Sequence, residues 1–159
     1  MRPGLLLLAA ALLAAPACAP EEGGGSAAPA AGEPGPGGQA WHRDFASGIE
    51  AARSSDRLLL VVFTEAHCQP CERLRAEILP HPEITRETER MARVLLEIRE
   101  DGLNRGLLSA RFGAETVPFS AVLDPDTLEE RGRLDGAPGS PQEYAAFLRA
   151  ARRAPVSGS

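Results

Sequence analysis

The chain has 159 residues and a formal net charge of −5, enough for one folded domain with appendages and without the basic surplus that nucleic-acid binding draws on. All 17 basic residues are arginine, which together with the high Ala, Gly and Pro content reads as a compositional bias and is assigned no mechanism. The three cysteines are Cys18, Cys68 and Cys71, too few for a disulfide framework, so the domain must be held by an apolar core.

Residues 1–17 have the pattern of an export signal: Arg2, an unbroken apolar run from Leu5 to Ala15, then small residues. The run is too short to cross a bilayer as a helix, which takes about 20 apolar residues. Ala15-Pro16-Ala17 fits ordinary cleavage and a soluble secreted product, whereas Ala17-Cys18 resembles a bacterial lipobox with Ala15 where leucine is usual. The lipoprotein is the preferred reading, since it gives the lone Cys18 a purpose: lipidated, it would anchor the chain in the cell envelope, facing the periplasm or exterior. Residues 18–40 are rich in Gly, Ala and Pro and read as a flexible tether of on the order of 25 Å r.m.s. span.

The folded domain is expected over residues 41–153, with Trp41 as a packing anchor and His42 and His81 as surface or loop residues. Asp44 is the expected N-cap of a helix through Arg53, with Phe45, Ile49 and Ala52 on its inner face and Gly48 weakening it. Residues 58–64 are continuously apolar, as in a strand covered on both sides. The period then changes: Cys71, Leu74 and Ile78 share one helical face over residues 69–79, until Pro80-His81-Pro82 breaks it. A short helix over 83–91 and a second strand over 93–98 follow. Leu103, Leu107, Leu108, Ala110 and Phe112 mark a helix that Gly113 can cap. Val117-Pro118 opens a strand over 119–123, Asp124-Pro125-Asp126 turns it, and 128–134 reads as a charged edge strand. Ser140-Pro141-Gln142-Glu143 is a capping box for a final helix whose Tyr144, Phe147, Leu148 and Ala151 face inward. The end should fray from Arg152, with a disordered tail over 154–159.

The chemistry concentrates in Cys68-Gln69-Pro70-Cys71. Two cysteines three apart at a helix start can bridge, and the first sits where unpaired N–H groups and the helix dipole favour a thiolate. No second cysteine pair or histidine pair completes a four-ligand zinc set, so no metal or other cofactor is assigned. His67, when protonated, would stabilise a Cys68 thiolate; an exposed loop residue is the equal alternative. Glu65 is a candidate proton acceptor near Cys71, with a solvated strand-end carboxylate as the commoner reading. Gln69 and Pro70 would tune the redox potential.

The order of these elements resembles the thioredoxin fold across residues 41–153, and more narrowly the thioredoxin-like domains of exported bacterial reductases, including the C-terminal domain of DsbD-type proteins. The matching features are Phe63, Cys68-x-x-Cys71, the segment His81-Pro82-Glu83-Ile84, and Val117-Pro118. The resemblance implies an α/β fold, a central mixed sheet of about four strands flanked by helices. It implies a thiol–disulfide oxidoreductase in which Cys68 attacks and Cys71 resolves. Pro118 would be the family's cis-proline, shaping Val117 to receive an extended substrate segment. Val62 stands where thioredoxins carry a buried aspartate, and His67 where they carry tryptophan. The expected partners are protein disulfides or thiols and a membrane reductant donor, acting on a monomer. The alternatives are a non-catalytic thioredoxin-fold adaptor that binds an extended segment, an inert disulfide, and a dedicated thiol-delivery factor for a metalloprotein.

Overall fold

The computed structural model describes residues 32–99 and 102–155. The expected export signal, Cys18 and the first part of the tether lie outside the described residues, as do residues 156–159 of the expected tail.

In chain order the elements are β1 (Glu33–Pro34), β2 (Ala40–Trp41), α1 (Phe45–Ser55), β3 (Leu59–Glu65), α2 (Gln69–Arg73, continued by a π-helical stretch Leu74–Ile78), α3 (Pro82–Thr88), β4 (Ala92–Ile98), α4 (Leu103–Phe112), β5 (Phe119–Leu123), β6 (Glu130–Asp135) and α5 (Pro141–Arg153). The main sheet runs β4-β3-β5-β6. Strands β3 and β4 are parallel, and the other two pairings are antiparallel. This is the four-stranded mixed sheet that the resemblance to the thioredoxin fold implied.

Strand β3 lies inside the sheet, and its alternation divides the core in two. Leu60 and Val62 pack with Leu74 and Ile78 of the active-site helix, Ile84 of α3, and Tyr144 and Leu148 of α5. Leu59, Val61 and Phe63 turn to the other face, against Ala52 of α1 and Leu108 and Phe112 of α4. Every residue from Leu59 to Thr64 is therefore wholly buried. The Tyr144 hydroxyl donates to Ser120 Oγ at 3.0 Å, and burial of this pair pushes the phenol well above its ordinary value.

Local chemistry sets the helix ends. Asp44 caps α1, its Oδ1 accepting the Ser47 N–H at 2.8 Å. His81 caps α3 through Nδ1, which accepts the Glu83 N–H at 3.3 Å, so it is a structural loop residue with Pro82 at the first helical position. Ser140 caps α5, while the Glu143 carboxylate reaches back to the Gly139 N–H instead of the cap residue's own.

Three boundaries differ from the sequence reading. Residues 33–40, read as tether, are packed: β1 pairs with β2, and the Trp41 indole N–H donates to the Pro36 carbonyl at 3.3 Å. Gln39 is bound to α3 by the Thr85 carbonyl at 2.7 Å and the Thr88 hydroxyl at 2.8 Å. The reason is Gly35, where a Cβ would stand 2.3 Å from Trp41 Cδ1; the glycine that looked like flexibility permits close approach to the ring. Leu128, expected to begin the edge strand, instead lies in a turn at φ +61°, and β6 starts at Glu130. Arg152 is helical, not frayed, because Glu87 of α3 holds it at 2.7 Å.

Gly48 is needed for packing, not tolerated at a loss. A Cβ there would fall 2.0 Å from Val94 Cγ2 on the buried face of β4, and a β-branched side chain has little freedom to retreat. Gly48→Ala should therefore destabilise the domain by about 1–3 kcal/mol despite alanine's better helix propensity, read as a lower urea midpoint. Asp124 supplies a pH-dependent part of the stability. Burial disfavours its charge, but the N–H groups of Thr127 and Asp126, the Thr127 hydroxyl and Arg131 outweigh that and hold its carboxyl below the usual value. Its contribution is complete above the unfolded-state value of ~3.9 and is lost as pH falls through the lower folded-state value. Asp124→Asn should thus be less stable than the parent at neutral pH, with the gap closing under acid titration.

Candidate active site

Strand β3 ends at Glu65, and the turn that follows is closed by His67 in the left-handed region, at φ +57°. That turn delivers Cys68 to the N-cap of α2, where its Sγ accepts the Cys71 N–H at 3.3 Å. Gln69 and Pro70 occupy the first helical positions and are exposed, with Pro70 where a missing N–H costs nothing. Cys71 faces the core one turn ahead of Leu74 and is wholly buried, whereas Cys68 keeps part of its surface in solvent. The two are joined in a disulfide, with Cα atoms 5.2 Å apart.

Opposite the pair lies the start of β5. The Val117–Pro118 peptide is cis, and the Val117 carbonyl oxygen stands 4.0 Å from Cys68 Sγ. The site therefore combines one accessible sulfur, one buried sulfur and a backbone carbonyl beside the accessible one. On reduction, the Cys71 N–H and the helix N-terminus favour Cys68 as the thiolate.

The remaining predicted residues are placed less uniformly. His67 is exposed and borders an open cavity of about 660 Å³ together with Glu65, Glu97, Arg99 and Arg105. Gln69 and Pro70 form one wall of a shallow groove with Arg73, Glu77 and Ala137. Glu65 is not positioned as an acceptor for Cys71. Strand alternation turns it to the face carrying Phe63 and α4, where Arg105 holds it at 2.7 Å. Val62, an apolar side chain, lies in the core layer beneath α2, with Ser120 its register partner on β5. Among the described residues, no three His, Cys, Asp or Glu side chains gather in a way that could hold a metal ion.

One group escaped the sequence reading. Thr64 follows Val62 on the inward face of β3, and its Oγ1 is buried without a hydrogen-bond partner. It borders a polar cavity of about 480 Å³ behind the active-site helix, shared with Arg75, Glu97 and Asn104. A buried hydroxyl left unpaired costs about 1–3 kcal/mol, so Thr64 is a local expense in an otherwise apolar strand. The signal was present: a hydroxyl at an inward position, as the last residue of a continuously apolar run.

The difference in burial of the two sulfurs has a direct chemical readout. After reduction, iodoacetamide should modify Cys68 at least tenfold faster than Cys71, as resolved by peptide mass spectrometry, with the two rates converging in denaturant.

Comparison with known proteins agrees with this geometry. The sequence model of the thioredoxin-like family matches residues 40–125, just over half of the chain. No curated protein matches the chain significantly. Among solved structures, a thioredoxin from Thermus thermophilus superposes with a TM-score of 0.60 at 24% identity, covering 70% of this chain and 85% of that one. The oxidised DsbD C-terminal domain of Neisseria meningitidis gives 0.54 at 18% identity, covering 69% and 91%. A DsbH oxidoreductase gives 0.55 at 17% identity, covering 70% and 82%. At these identities the structural matches establish the fold alone; the family match spans more than half of the sequence, and the chain belongs to the thioredoxin-like family.

Proposed function

We propose that the protein is a thiol–disulfide oxidoreductase whose Cys68/Cys71 pair acts on protein disulfides outside the cytoplasm. The observation that carries this reading is the asymmetry of the bonded pair: Cys68 partly exposed beside the Val117 carbonyl, and Cys71 buried one helical turn away. An inert structural disulfide has no need of an accessible sulfur at a helix N-terminus.

In the reduced protein, the Cys68 thiolate attacks one sulfur of a substrate disulfide. A Cys68–substrate disulfide forms, and the other substrate sulfur leaves as a thiolate. Cys71 then loses its proton and attacks Cys68 Sγ, closing the 68–71 disulfide and releasing the second substrate thiolate. Two electrons have passed to the substrate, and a dithiol donor of lower potential returns them. In the reverse direction the same steps oxidise a substrate dithiol. The Val117 backbone lies where an extended substrate segment would pair beside the reacting sulfur. Export and lipidation at Cys18 would hold the domain near a membrane that also carries its donor.

Trapping distinguishes catalysis from binding. Cys71→Ser should accumulate mixed disulfides with a disulfide-bonded model substrate such as insulin, removable by dithiothreitol and absent when Cys68 is also serine. If the double-serine protein retains its partners as well as the parent does, the adaptor reading takes precedence.

A further inference from the structure

The sulfur chemistry is the same for any protein disulfide, so choice among substrates has to come from the surfaces beside Cys68. We propose that the groove bordered by Gln69 and Pro70, of about 580 Å³, is a specificity subsite for a basic side chain next to the substrate's reacting cysteine, with Glu72 as the counter-ion. The substrate class is then a disulfide-bonded segment that carries arginine or lysine beside its cysteine. This rests on the redox reading of the cysteine pair.

The groove lies between the two elements that would bracket a substrate. Gln69 and Pro70 directly follow Cys68 at the start of α2. On the other side Ala137 follows Gly136, whose N–H donates to the Pro118 carbonyl at 2.9 Å. The opening therefore runs from the helix start that carries the accessible sulfur to the loop fastened to the cis-proline. An extended segment paired along Val117, with its cysteine at Cys68, brings a neighbouring side chain to this opening.

Charge and shape select the occupant. Gln69, Glu72, Arg73 and Ala76 are exposed on the active-site helix, whereas Cys71, Leu74 and Ile78 face the core. Arg73 is the cation of the groove, and it is already engaged: its Nη2 donates to the Gly139 carbonyl at 2.6 Å, and its Nε lies 3.6 Å from Glu77. Glu72 is exposed and has no side-chain hydrogen bond or ion pair among the described residues. The groove is thus left with a net negative charge beside the apolar surface of Pro70, Ala76 and Ala137. Arginine and lysine match this combination, since their apolar stems cover the alanines and the proline while the charged head pairs with Glu72. An acidic side chain would instead face Glu72 and Glu77, with Arg73 unable to receive it.

The test uses the full chain carrying Cys18→Ser, reduced and freed of reductant. The probes are disulfide-linked dimers of a capped pentapeptide whose cysteine is flanked by arginine, glutamine or glutamate. Each rate of peptide-thiol release is divided by that peptide's own rate with dithiothreitol, which removes differences in intrinsic reactivity. The arginine dimer should then react about fivefold faster than the glutamine dimer, the scale of a well-placed exposed ion pair. The preference should shrink in about 0.5 M NaCl, disappear in Glu72→Gln and turn toward the glutamate dimer in Glu72→Arg. Glu50→Gln removes the same charge from the exposed side of α1, on the opposite sheet face, and should keep the preference. A parent protein without the preference overturns the subsite, as does a preference that survives Glu72→Gln. Equal loss in Glu50→Gln also overturns it, because the protein's overall negative charge would then be the cause. If the parent releases thiol from none of the dimers, the redox reading falls and the subsite with it, a result distinct from reaction without selectivity.

Discussion

Burial of β3 on both faces is the constraint that fixes the site. A strand with helices on both sides has no solvent face, so every residue from Leu59 to Thr64 is committed to one core layer or the other. The chain can change character only where the strand leaves the sheet. That is where the His67 turn and Cys68 occur. The helix that follows must bury Leu74 and Ile78 against Leu60 and Val62, and this sets its rotation. Cys71, one turn ahead of Leu74, is thereby drawn inward while Cys68 at the cap stays accessible. The chemical inequality of the two sulfurs is a by-product of packing an amphipathic helix on an apolar strand.

Much of this was legible in the residues because the relevant signals are local. The apolar run, the switch to helical period at Gln69, and the caps Asp44 and Ser140 each depend on near neighbours. Cys68-x-x-Cys71 has a spacing that a helix start can bridge. What could not be read depends on distant partners. Gly35 looks like linker until Trp41 is seen against it, and Gly48 looks like a weak helix residue until Val94 is seen beneath it. Arg152 looks like a fraying end until Glu87 is brought within reach by α3. Leu128 carries the apolar, alternating signature of a strand, but Asp124 organises the turn ahead of it through the N–H groups of Asp126 and Thr127. Glu65 shows the reverse: alternation alone, applied strictly, places it away from Cys71.

The exclusive use of arginine also acquires a physical sense in the folded chain. Several guanidinium groups act as braces to backbone carbonyls. Arg53 reaches Pro125 and Asp126, Arg93 reaches Ala40 and Thr88, and Arg73 joins the active-site helix to Gly139 ahead of α5. Arg133 donates to the Phe112 carbonyl while lying over the Phe119 ring. A planar fork with five donors can serve two carbonyls or a carbonyl and a ring at once, which a single ammonium does less well.

The N-terminal hairpin has a directional meaning of its own. His42 continues from β2 alongside Val94, parallel to β4, so the chain there runs toward the same end of the sheet that carries the disulfide. β1 is antiparallel to β2, with Glu33 opposite Trp41 and paired with Arg43. Glu33 therefore lies at the reactive end of the domain and borders the cavity behind the active-site helix. The hairpin thus sets Glu33 and Arg43 into the same cavity wall as Thr64 and Arg75, on the side of the domain that carries the cysteine pair.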